Sequence, residues 1–136
     1  MRRSFVSITA AVVLLVSAVA IGESAGGAAT PPVKKVSMTA TACPNGLFCY
    51  KPAALTVKRG TKVVWTNNSG VIHTVTRCTK AQCGGRNGGT GKQTKFGSAT
   101  VQPHKTYAFT FKMPGTYRYY CKIHGYGVMH GTVTVK

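Results

Sequence analysis

Three metal donors fall within nine residues near the C-terminus: Cys121, His124 and Met129, in CKIHGYGVM. A thiolate and a thioether are soft ligands that select copper, and two imidazoles, one thiolate and a weak axial thioether form a one-electron copper site. The stretch lacks the second imidazole, and the chain has only four histidines from which to supply it. His130 follows Met129 directly, so in a strand it faces the other way. His104 lies in QPHK, a turn-like context suited to solvent. His73 lies in VIHTVT, shares an alternating face with Val71 and Val75, and follows VVWTNNSG, a strand running into a turn. His73 is therefore the best candidate. Taken singly, His73 reads as a structural histidine, Met129 as core packing and His124 as an exposed loop residue. Their joint spacing makes the site.

The cysteines point the same way. Residues 1–25 read as a targeting segment, with Arg2 and Arg3, an apolar run from Ile8 to Ile21 and a small-x-small site at Ala18-Val19-Ala20. The expected product is exported, periplasmic, extracellular or associated with the cell envelope. An uncleaved N-terminal anchor is the alternative. Disulfides persist in such compartments, and five cysteines cannot all pair. Three pairings are open among Cys43, Cys49, Cys78 and Cys83, with proximity favouring 43–49 and 78–83. Cys121 is left over in each. A lone thiol in an oxidising compartment is a hazard unless buried or bound.

The elements that must position these donors are short strands. GTYRYYC alternates, placing Tyr117, Tyr119 and Cys121 on one face, and Val133 and Val135 oppose Thr132 and Thr134 in the last segment. Val33 to Ala42, Leu55 to Val57, Lys62 to Asn67 and Lys105 to Phe111 read as further strands, with Trp65 and the inward tyrosines in the core. CPNGLFC carries strong turn chemistry at its centre. Residues 26–32 form a flexible leader. Residues 78–98 form a polar, glycine-rich insert, longer than ordinary connections and expected to be mobile. No segment shows a helical period, so residues 33–136 are expected to form one all-β sandwich or barrel.

The charge is extreme: 18 Lys and Arg against one acidic residue, a formal net charge of +17. The single acidic residue, Glu23, precedes the domain, and sixteen of the basic residues follow it. No side-chain salt bridge can form in the domain, and acid–base catalysis relying on Asp or Glu is excluded. The charge serves either as a solvated, self-repelling surface or to dock acidic proteins and an anionic envelope surface. The basic residues are scattered and no nucleic-acid motif accompanies them, so nucleic acid is not an expected partner.

PAALTVKRGTKVVWTNNSGVIHTVT followed by FKMPGTYRYYCKIHGYGVMHGTVTV resembles the cupredoxins, small blue copper proteins of the plastocyanin type. The resemblance implies a Greek-key β-sandwich and one copper ion held by His73, Cys121, His124 and Met129. It also implies an electron port at the edge of His124, rimmed by apolar residues that Ile72, Ile123, Tyr126 and Val128 could supply. Two positions depart from the family pattern. Thr74 stands where many members carry an Asn that ties two loops, and Thr61 stands where many carry an acidic residue. The expected function is a monomeric, non-enzymatic electron carrier that exchanges electrons with an acidic redox protein. A copper-handling protein without electron transfer is the alternative.

Overall fold

The computed structural model describes residues 29–136, so the targeting segment and the first part of the leader lie outside the described residues. Among the described residues, eight strands form two four-stranded sheets. These are β1 (Val33–Thr39), β2 (Cys49–Lys51), β3 (Ala54–Val57), β4 (Thr61–Asn67), β5 (Thr76–Arg77), β6 (Thr106–Phe111), β7 (Gly115–Tyr120) and β8 (His130–Val135). One sheet has the order β2-β1-β4-β6 and the other β3-β8-β7-β5. β1 runs parallel to β4 and β3 parallel to β8, while the remaining pairs are antiparallel. The expected all-β sandwich is what forms.

Alternation explains the packing. In β4, Thr61, Val63, Trp65 and Asn67 are buried while Lys62 is exposed and Val64 and Thr66 are half-covered. Trp65 is fully buried between the sheets, its ring 5.6 Å from that of Tyr119 and 5.5 Å from that of Tyr107. Tyr50 of β2 meets Tyr119 edge-on at 4.7 Å. Burying each large apolar side chain contributes roughly 1.5–3 kcal/mol. With no carboxylate side chain in the domain, stability comes from this core, the strand hydrogen bonds and the disulfides. Tyr119 lies opposite Gly131 across β7 and β8, and a β-carbon on Gly131 would come within 2.4 Å of its ring. Only glycine fits there.

Two disulfides form, Cys43–Cys49 and Cys78–Cys83, and Cys121 is free and buried. The favoured pairing is thus the one present.

The insert, expected to be mobile, is hydrogen-bonded to the sheet. It lies along the outer edge of β7 as an irregular extension of β5. Arg118 donates its N–H to Gly88 O (3.0 Å), Gly91 donates to Thr116 O (3.0 Å), and Thr116 donates to Thr90 Oγ1 (3.0 Å). Arg77 donates to Gln93 O at 3.0 Å, and Gln93 Oε1 accepts from Lys112 N and Met113 N. Phe96 enters the core. Gly88, Gly89 and Gly91 serve close approach, since a β-carbon on Gly91 would fall 2.2 Å from the Tyr117 ring. The insert covers a strand edge that would otherwise expose unpaired backbone groups.

The strand directions decide where chemistry can occur. β4 ends at Asn67 before the loop carrying His73, β7 ends beside Cys121, and β8 begins just after Met129. All four candidate ligands therefore emerge at one end of the sandwich. The turn at 58–60, the end of β6, the start of β7 and Lys136 occupy the other.

Candidate metal centre

His73 is delivered by a loop braced by the side chains of Asn67 and Ser69. Asn67, fully buried, donates its amide to Val71 O (2.7 Å) and Val101 O (2.9 Å), and its Oδ1 accepts from Ser69 N and Ser69 Oγ. His73 exchanges both backbone bonds with Val101, so its Cα is fixed. Its Nε2 lies 2.8 Å from Ser69 Oγ. Ser69 Oγ has one proton and two other acceptors for it, Asn67 Oδ1 (2.8 Å) and Val71 O (3.1 Å), an arrangement that favours Nε2–H as the donor to Ser69 and leaves Nδ1 a free lone pair. That lone pair faces the sulfur of Cys121, 3.8 Å away.

The second half of the site is the 121–129 loop. Gly125 N–H bonds to Cys121 O, Met129 N–H to Gly125 O, and Cys121 N–H to Met129 O, each at 3.0 Å. Gly125 has φ +79, a left-handed conformation that favours glycine. The loop places His124 Nδ1 3.3 Å from Cys121 Sγ. One donor atom from each of His73, Cys121 and His124 lies within 4.8 Å of the others. Met129 is fully buried in the same apolar cluster as Cys121.

Thr74 takes over the role of the missing Asn. Its Oγ1 accepts from Lys122 N (2.9 Å) and from Thr76 Oγ1 (3.0 Å), tying the His73 loop to the Cys121 loop. Its backbone N–H donates to Cys121 Sγ at 3.4 Å, and its carbonyl accepts from Tyr50 Oη. A thiolate is thus met by a fixed amide dipole. Burial, aided by neighbouring His124, lowers His73 to about 4, and burial also lowers His124. Both imidazoles are neutral at pH 7, the state that metal ligation needs.

Phe48 was not visible as a site residue from the sequence. Held by the Cys43–Cys49 loop, its ring lies 5.1 Å from that of His73 and 4.5 Å from that of His124. Ser69 and Asn67 were likewise missed, although the NNSG turn before His73 was the available signal. Of the expected rim, Ile72 and Ile123 are exposed. Tyr126 instead packs with the Cys78–Cys83 cluster and stacks on His130, and Val128 packs against the core. Leu47, next to Phe48, supplies further exposed apolar surface. His130 pairs with Tyr126 O, and His104 is exposed in a turn, so neither joins the donor group.

A buried thiol, two neutral imidazoles and a buried thioether, with no carboxylate, match copper and not a hard cation. A model of the family described as copper binding proteins, plastocyanin/azurin family, matches residues 36–136. The plastocyanin of Scenedesmus fuscus is 30% identical over 92 residues, covering 68% of this chain and 91% of that protein. The chloroplastic plastocyanin of Oryza sativa subsp. indica is 30% identical over 129 residues, covering 89% of this chain and 82% of that one. Among solved structures, a purple cupredoxin from Nitrosopumilus maritimus aligns with a TM-score of 0.58 at 26% identity, covering 75% of this chain and 98% of that one. By sequence, fold and donor set together, the chain belongs to the plastocyanin/azurin family of copper-binding proteins.

Proposed function

We propose that this chain is an exported blue copper electron carrier whose ligands are His73, Cys121, His124 and Met129. The observation that carries the reading is the convergence of His73, Cys121 and His124 donor atoms within 4.8 Å at one end of the sandwich. Bound copper supplies exchange of a single electron between Cu(I) and Cu(II). The protein's part is to hold the ligands and exclude water. Cys121 gives up its proton to bind, and the Thr74 N–H bond and the apolar packing around the sulfur tune the potential. Ser69 holds the His73 tautomer, and Phe48 covers both imidazoles. His124 is only half-buried, so its ring is the route for the electron, between exposed Leu47, Ile72 and Ile123.

The partner is an acidic redox protein, because the domain has no acidic side chain to repel one. Transfer to it should slow as salt screens the charges. Voltammetry of the copper-loaded protein tests the reading. A reversible one-electron wave is expected, whereas rapid metal exchange without a wave would favour copper handling.

A further inference from the structure

The end of the sandwich opposite the metal donors carries a feature that electron transfer at His124 does not use. Two cavities open there. One, of about 470 Å³, is lined by Lys34, Lys58 and Lys136, with Pro32 and Val57. The other, of about 390 Å³, is lined by Lys92, Lys95 and Lys112, with Phe109 and Met113. They lie side by side, because Gly60 N–H bonds to Phe111 O and Arg59 N–H to Lys136 O. Lys62, exposed and paired with Thr110 of the second cavity, stands between them. Half of the domain's basic residues thus sit at one end. β4 alone separates that end from the metal site by about 20 Å at its ordinary rise per residue.

Two further observations narrow the partner. Exposed Val33 and Met113 lie among these cations, and Val33 pairs directly with Lys62. The N-terminal chain also enters the domain here, since Lys62 N–H bonds to Pro32 O. The sequence upstream of Pro32 contains Arg2, Arg3 and the apolar run from Ile8 to Ile21.

We infer that this basic end is a docking surface for a bilayer bearing anionic lipid headgroups. Lysines around shallow cavities suit phosphate headgroups, while Val33 and Met113 suit the interfacial layer. The chain enters β1 through Pro32 at the same surface. Docked this way, the domain turns His124 away from the membrane and toward soluble partners. The inference rests on the export part of the proposed function, and on nothing about the metal.

The test uses the full chain and needs no copper. Partitioning onto phosphatidylcholine vesicles is compared with partitioning onto vesicles in which about a third of the lipid is phosphatidylglycerol. The difference isolates the anionic contribution from any binding by the apolar run. Each juxtamembrane cation contributes about fivefold. The triple variant Lys34→Gln, Lys58→Gln, Lys62→Gln should therefore lose about a hundredfold of the anionic preference. A matched control, Lys80→Gln, Arg86→Gln, Lys105→Gln, should lose less than tenfold. Equal losses in the two variants would overturn the inference, as would no anionic preference in the parent chain. Tighter binding to a soluble polyanion than to the vesicles would overturn it too. Failure here leaves the voltammetric test untouched.

Discussion

Ser69→Ala is the most informative single change, because it alters the metal site without touching a ligand. Ser69 Oγ lies 2.8 Å from His73 Nε2, His73 is fully buried, and no other hydrogen-bond partner of Nε2 is present among the described residues. Alanine leaves the Nε2–H without an acceptor at a position shielded from water. An unsatisfied buried donor costs about 1–3 kcal/mol. It also frees the imidazole to flip or to take the other tautomer, which would place N–H where a lone pair is required. Outer partners of ligating histidines are typically worth 10–100-fold in metal affinity. We therefore expect Ser69→Ala to weaken copper binding about 10–100-fold in a competition titration against a chelator of known affinity. Urea unfolding of the metal-free protein should show a loss of about 1–2 kcal/mol. The decisive feature is that both numbers move together. Copper affinity within twofold of the parent, in a variant that is folded, would refute the assignment of Ser69 as the group that orients His73.

Acid sensitivity follows from His73. It is held neutral at about 4 in the folded metal-free protein, against about 6.5 when unfolded, so between these values the unfolded chain binds the extra proton. Stability is fully present above about pH 6.5 and is lost as pH falls toward 4, by roughly 2 to 3 kcal/mol at pH 4.5. Urea titrations at pH 7.5 and 4.5 should show this loss, and His73→Gln should remove most of it. A pH-independent midpoint would contradict the burial. In the core, Gly131→Ala would drive a β-carbon to 2.4 Å from the buried Tyr119 ring. It should cost about 2–3 kcal/mol and lower Tm by roughly 10 °C or more. An unchanged melting curve would show that Tyr119 can move aside.

Much of the site was legible because metal ligation restricts residue type so tightly. Cys121, His124 and Met129 stand close in sequence, only four histidines compete for the remaining place, and period-two alternation selects His73. The sandwich followed from the same alternation in β4, β7 and β8. Less legible were groups whose role depends on what lies opposite them. Phe48 is six strands' worth of chain from His124, and nothing local says that its ring will cover two imidazoles. Thr74 looks like a departure until Lys122 is seen donating to its hydroxyl. The insert was expected to move because it is long, polar and rich in glycine, but Gly91 is glycine because Tyr117 leaves no room for anything larger. β2 and β5, at three and two residues, are too short for periodicity to register and form only through their neighbours.

The visible absorption spectrum of the Cu(II)-loaded protein, beside that of Cys121→Ser, tests the central claim most directly. An intense blue thiolate-to-copper band in the parent and its absence in the variant are expected. A colourless copper adduct of the parent, or a band that survives the loss of the sulfur, would contradict a mononuclear centre built on Cys121.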